Sequence, residues 1–391
     1  MSAMQSRREG FALAGAVLAM VLVGAIVTGG FYAAHQESRV TRSTEMGDLA
    51  QYIAETGLDA VVGSVNAATL DAYGINSNTT VANAVNVQYG GRTVGNYSVV
   101  ITRLTLRLFA VRSTGTVTIA QAGNASNSTR TVTNIVRVRN VDFDNETAMQ
   151  VYGNLTVTGT SEVAGADTNL GVWTGCTTTA GSAAVTARPE PHSIIDEEGA
   201  GNINGDIDRA ALGSNDFTVF GDLTWTDLVS MATNVYPDGA TPAPAPSING
   251  AGFCDASILD NWGAPTSNSH VCRNYFPIIY TPGDMHISAN STGQGILLVG
   301  GDLQIESQFQ FYGPVIVMGA VDFQGGAEII GSVFAYGGGV LGADNSTAGN
   351  MIVQYSSCAI KRATQGASGL SRAIPIRNRS WLDLTAVQNS Y

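Results

Sequence analysis

GILLVGGDLQIESQFQFY (295–312) runs straight into GPVIVMGAVDFQGGAEII (313–330) and then GSVFAYGGGVLGADNSTA (331–348), and the three rows align without a gap. Gly295, Gly313, Gly331 and Gly349 recur every 18 residues. Each precedes an apolar stroke: Leu297-Leu298-Val299, Val315-Ile316-Val317, Val333-Phe334-Ala335 and Met351-Ile352-Val353. A second column, Gly283, Gly301, Gly319 and Gly337, runs in step and leads into Met285-His286-Ile287, Leu303-Gln304-Ile305, Val321-Asp322-Phe323 and Gly339-Val340-Leu341. A third, weaker stroke sets Phe309-Gln310-Phe311 over Ala327-Glu328-Ile329. Short apolar strokes at a fixed period, divided by turn residues, predict a β-solenoid of about 18 residues per coil, each coil lying about 4.8 Å above the last.

Working outward, the same stroke recurs in Tyr152-Gly-Asn-Leu-Thr-Val157 and Val219-Phe-Gly-Asp-Leu-Thr-Trp225. The solenoid is therefore expected over 148–356, with long insertions at about 160–217 and 227–275 that are rich in Pro and Gly. Residues 357–391, with Arg372, Arg377, Arg379 and Trp381, read as a tail that caps the last coil, since an open end invites edge pairing. Ahead of the solenoid, residues 81–140 carry β-branched runs at Tyr97–Thr102, Leu104–Val111, Gly115–Ile119 and Thr131–Val138, with breaks expected at Ser113–Gly115 and Ala122–Ala125.

The N-terminus fixes topology. Arg7, Arg8, Glu9 and Gly10 lead into Phe11, and no charge follows until past Ala34. These 24 apolar or small residues make a helix of about 36 Å, enough to cross a bilayer core, with the two arginines on the cytoplasmic side. Cleavage by an ordinary secretory route fits poorly, because Tyr32 or Phe31 would occupy a position that needs a small residue. A plain membrane anchor remains open and requires neither Gly10 nor Phe11. The helix continues: Met46, Leu49, Ile53, Gly57, Ala60 and Val61 recur at three- and four-residue steps, which extends it to about residue 72, with Gly29-Gly30 as a weak point.

REGFALAGAVLAMVLVGAIV (8–27) and SRVTRSTEMGDLAQYIAETGLDAV (38–61) resemble the N-terminal region of PilX-type minor pilins of type IV pilus systems, and are similar to K-type minor pseudopilins of type II secretion. Ala54-Glu55-Thr56-Gly57-Leu58 matches the signature near the end of that region. The resemblance implies a leader over 1–10, cleavage after Gly10 by a prepilin peptidase, methylation of the new amine on Phe11, and burial of the apolar helix among other pilin or pseudopilin subunits. It also implies residence in a bacterial inner membrane with the remainder outside the cytoplasm. At the fifth mature position most major pilins carry glutamate; here it is Gly15. A carboxylate in lipid is costly unless paired, so its absence points to a tip or minor position, or to an anchor that never polymerises. Glycine-rich solenoids behind such an N-terminus also resemble a recurring family of pilus-assembly proteins.

Composition narrows the remaining chemistry. Net charge is −12 and lysine occurs once, at Lys361, so nucleic-acid coating has no electrostatic support. Cys176, Cys254, Cys272 and Cys358 allow three pairings, and Cys254 with Cys272 closes the shortest loop, worth about 3 kcal/mol in the chain-entropy model. No CxxC spacing suggests zinc. Asp196-Glu-Glu198 and Asn202-Ile-Asn204-Gly-Asp206-Ile-Asp208 alternate oxygen donors but lack the spacing of an EF-hand, and Asn, Asp and Gly make turns without any metal. Asp284 and Asp302 share a coil position that continues as Ala320 and Gly338, and 277–348 contains no Lys or Arg, so a polysaccharide-cleaving site is not assembled there. His35, His192, His270 and His286 are scattered, and Ser193 beside His192 reads as a loop dipeptide.

The expectation is an α+β to all-β chain: a membrane-spanning pilin-like helix (11–72), a small β region and a C-terminal β-solenoid. It acts as a non-enzymatic minor subunit at or near the tip of a pilus or pseudopilus. Lipid, other pilin-like subunits and a prepilin peptidase are its partners, and it needs no cofactor or metal. Gly10 and Phe11 serve processing, Gly15, Gly24 and Gly29 serve helix packing, and Cys254–Cys272 is the candidate disulfide. The alternative is a membrane-anchored adhesin or carbohydrate-binding protein that does not polymerise.

Overall fold

The computed structural model describes residues 9–65, 69–70, 72–121, 124–139, 141–143, 146–169, 173, 175–178, 183–306, 308–342, 351–367, 369–370, 373–376 and 381–383. It is a long N-terminal apolar helix followed by a mostly strand-rich chain, divided into two compact units. The first comprises residues 1–65, 73–137 and 374–391, and the second 66–72 and 138–373.

In the first unit, helix α1 (Glu9–Ser64) runs unbroken through Gly29-Gly30. Its C-terminal part buries Ala50, Ile53, Ala54, Leu58 and Val61, one stripe at three- and four-residue spacing. That stripe lies on an antiparallel sheet of β1 (Asn78–Tyr89), β2 (Arg92–Arg103), β3 (Leu108–Gln121) and β4 (Asn124–Val138), joined beyond β4 by Ala373–Pro375 and Trp381–Asp383. Gly90 and Gly91, at φ 58° and 78°, form the two-residue turn between β1 and β2.

The break expected at Ser113–Gly115 is absent: those residues sit inside β3, and the chain turns at 104–107 instead. Gly115 is there for another reason. A Cβ on it would strike the backbone of Ala50 and Ala54, so the glycine lets α1 settle directly on the sheet. Gly57 answers from the helix side, where a Cβ would collide with the Tyr97 ring and the Ser113 hydroxyl. The glycine of the Ala54–Leu58 signature is thus a contact point between helix and sheet.

The second unit is a stack of parallel coils with three walls. Strands of the first wall follow one another as Asn234–Val235, Ile278–Thr281, Ile296–Val299, Gln310–Val317, Glu328–Ala335, Thr147–Val151, Ala183–Ala187 and Ile207–Arg209. The second wall runs Met285–Ile287, Leu303–Ile305, Val321–Phe323, Gly338–Leu341, Asn154–Val157, Ile195–Glu197. On the third wall Thr292–Gln294 is followed by the first parts of Gln310–Val317 and Glu328–Ala335, then Ile352–Tyr355, Glu162–Ala164 and Asn202–Asn204. In the repeat, partners are 18 residues apart, as Leu303 with Val321 and Phe311 with Ile329.

The order of coils differs from the order of the sequence. Residues 147–164, expected ahead of the repeat, stack beyond its last coil: Met149 pairs with Val333, Leu155 with Gly339 and Val163 with Val353. Residues 183–209, expected as a loop insertion, extend the stack by further short strands. The chain therefore enters and leaves this unit at adjacent coils in the middle of the stack. A disulfide, Cys176–Cys358, bridges 182 residues between them, and Asp167 accepts hydrogen bonds from Ser357 N–H (2.9 Å) and Ser357 Oγ (2.6 Å).

Additions to the coils cover two walls. Asn215–Thr218, the hairpin Val219–Phe220/Leu223–Thr224 and the helix Trp225–Ser230 supply Phe217, Phe220 and Leu228 to the main core, with Phe220 against Phe334 at 5.5 Å. The stroke Val219–Trp225 is thus a hairpin and a helix start rather than a coil. The helix Ser357–Gly366 packs on the third wall. The tail expected to cap the final coil does not do so: this helix lies along the side of the stack, and Trp381 pairs with Asn134 of β4, while Arg372, Arg377 and Arg379 lie outside the described residues. Trp262, fully buried, plugs the end beside Gly293, in a segment where Cys254 is bonded to Cys272.

Candidate membrane-inserting and packing helix

Among the described residues, nothing covers the first half of α1. Leu13, Val17, Leu18, Met20, Val21, Leu22, Val23, Ile26, Val27 and Phe31 are all exposed, and α1 is long and apolar enough to cross a membrane. Past its first turn the backbone donors and acceptors are satisfied along the helix, and the Thr28 hydroxyl donates to Gly24 O at 2.7 Å, which suits most of the run to a water-free surrounding. Charge resumes at Glu37, Arg39 and Arg42, and burial against the sheet starts near Met46 and Gly47. One continuous helix of about 84 Å thus carries two different surfaces, an apolar rod and an amphipathic foot.

Gly10 and Phe11 fall in the first turn of α1, and leader residues 1–8 lie outside the described residues. A Cβ added to Gly15, Gly24 or Gly29 would meet nothing within 4 Å. Intramolecular packing therefore does not require these glycines. They do not form one stripe either. At 3.6 residues per turn Gly15 and Gly29 lie about 40° apart, while Gly24 is about 180° from Gly15, on the opposite side.

The other sequence-selected residues have structural partners. Asp284 Oδ1 accepts from Asp302 N–H and Asp302 Oδ1 from Ala320 N–H, both at 2.8 Å, and Asp238 Oδ1 does the same for Asp284 N–H at 2.8 Å. This ladder explains three members of the second glycine column: a Cβ on Gly283, Gly301 or Gly319 would overlap the aspartate of the coil before it, whereas one on Gly337 would meet the backbone of Gly319 and Ala320. Asp238, which begins the ladder from within an insertion, had no sequence signal because it lies outside the 18-residue register.

Ser193 Oγ donates to Tyr152 O at 2.8 Å, and His192 is engaged through its backbone, its carbonyl accepting from Arg188 and its N–H donating to Pro189 O. His286 Nε2 lies 3.0 Å from Glu306. His270 Nδ1 accepts from Cys272 N–H at 3.1 Å and starts the short turn Val271–Asn274. The acidic stretch after Asp196 forms strands, and Asn204 donates to Glu162 at 2.9 Å. Among the described residues, no three His, Cys, Asp or Glu side chains gather as a metal site would require. Burial, with the Glu328 carboxylate adding to it, pushes the Tyr312 phenol up to about 12.

No protein-family model matches the chain, and no curated protein matches it. Among solved structures it is similar to the competence-associated pilin ComZ from Thermus thermophilus, at 12% identity and a TM-score of 0.32, over 87% of this chain and 98% of that one. That likeness is too loose to assign a fold or a role.

Proposed function

We propose that this chain is a non-enzymatic minor pilin-like subunit. The observation that carries the reading is the bare apolar half of α1, continuous with a foot docked on its own sheet. Such a rod is stable only in lipid or among like helices. The PilX-type resemblance of residues 8–61 supports the second of these as a destination reached from the first. On this reading residues 1–10 are a leader removed by a prepilin peptidase, Phe11 becomes the methylated terminus, and the rod packs against other pilin or pseudopilin subunits. The first turn of a helix has no intrahelical partners for its N–H groups, so unwinding it for cleavage costs little. The parallel stack, read as a β-solenoid, is presented outside the inner membrane at or near a filament tip. Neither nucleic acid nor a cofactor takes part.

Incubating membranes that hold the full chain with purified prepilin peptidase tests this. N-terminal sequencing should then begin at Phe11. A leader left intact by active enzyme would refute processing. Gly15, in place of the glutamate of major pilins, favours a second reading: an anchored surface protein that never polymerises. Isolated filaments decide between the two, since only the minor-subunit reading expects this chain to co-purify.

A further inference from the structure

At the corner between the second and third walls of the stack, Asn290, Ser291, Thr292, Gln308, Gln310 and Gly326 line an open groove of about 390 Å³. We propose that it binds a neutral glycan. The lining falls into columns set by the coil register: Asn290, Gln308 and Gly326 lie 18 residues apart, and Thr292 pairs with Gln310. Gly326 has no side chain, and a Cβ there would lie 3.4 Å from Gln308 Cγ, so the row of amides ends in an open floor.

Part of this polar set holds the coils together. Asn290 Oδ1 accepts from Gln308 N–H at 3.1 Å, Gln310 Nε2 donates to Glu328 at 3.0 Å, and Ser291 Oγ donates to Ala289 O at 3.1 Å. The rest is unspent. The Asn290 N–H groups, the Gln308 carboxamide and the Thr292 hydroxyl have no partner among the described residues. Together they offer both donors and acceptors on adjacent coils, and a sugar hydroxyl both donates and accepts.

Other ligand classes fit less well. Residues 277–348 hold no Lys or Arg and the chain carries a net charge of −12, which disfavours anions. Cations lack a carboxylate in the lining, and apolar ligands lack an apolar wall. The volume is near the lower end for small-molecule sites, so a short stretch of sugar would sit in the groove while the chain continues into solvent. The inference is independent of whether α1 polymerises.

The test uses the full chain in lipid nanodiscs free of sugar detergents, titrated with maltotetraose, cellotetraose, chitotetraose and tetragalacturonate by calorimetry and saturation-transfer NMR. At least one neutral tetrasaccharide should bind and the acidic one should not. Gln308→Ala and Thr292→Val should each weaken binding about fivefold, the loss of roughly one hydrogen bond, while Gln304→Ala on the second wall changes nothing. Failure of all three neutral sugars, equal binding of tetragalacturonate, or an unchanged Kd in both groove variants would overturn the proposal.

Discussion

Glycine does opposite things in the two halves of this molecule. In the coil stack it is imposed from within: Gly295, Gly313 and Gly331 adopt φ of 119°, 139° and 154°, and a Cβ on each would run into a carbonyl of the preceding coil. In the apolar rod, a Cβ on Gly15, Gly24 or Gly29 would meet nothing within 4 Å among the described residues. Such glycines weaken a helix by about 1 kcal/mol each relative to alanine, and the packing against other helices proposed above would give them a use. The stack is finished within one molecule. The rod is not.

Three substitutions probe that contrast. The largest effect is expected from Cys358→Ser, which opens a closure of 182 residues worth about 5 kcal/mol in the chain-entropy model. The denaturation midpoint of the full chain, followed by tryptophan fluorescence, should fall sharply, and reductant should lower it further only by what the remaining Cys254–Cys272 bond contributes. Gly313→Ala comes next, with a loss of about 3 kcal/mol, because neither φ nor the neighbouring coil can accommodate the methyl group. Circular dichroism melts in nanodiscs would register it. Gly24→Ala is the smallest and opposite in sign: helix stability should rise by up to about 1 kcal/mol with the melt of the stack unmoved, while recovery in isolated filaments drops. A Gly24→Ala variant that damages the stack as badly as Gly313→Ala would erase the distinction.

What the sequence discloses follows from the same contrast. The repeat is legible because every coil must meet the same demands at the same place: glycine where an aspartate or carbonyl crosses, an apolar residue where a wall faces the core. Coil order is not legible, because register tells which residues are equivalent but not which coil lies next to which. Val333 is as good a partner for Met149 as anything in a direct succession would be. Strands at the far end were hidden for a related reason. Ile207–Arg209 is exposed along its length, so nothing required the apolar alternation by which strands are recognised. Gly115 misled in the opposite way, since a glycine that admits a helix reads in sequence like one that makes a turn. The uncovered rod was plain from composition alone, whereas the opposed placement of Gly15 and Gly24 needed helix geometry.

Entry and exit of the polypeptide at neighbouring coils has a mechanical corollary. Tension transmitted along the backbone passes in near Thr147 and out past Ser357, across an interface already sewn by Cys176–Cys358. The terminal turns at Asn234 and Arg209 hang outside that load path. Coiled ribbons pulled by their tips peel one turn at a time. This one is gripped at the waist, so a tug would load the middle coils first, and the Cys176–Cys358 bond would keep the force from passing to the coils beyond Cys176.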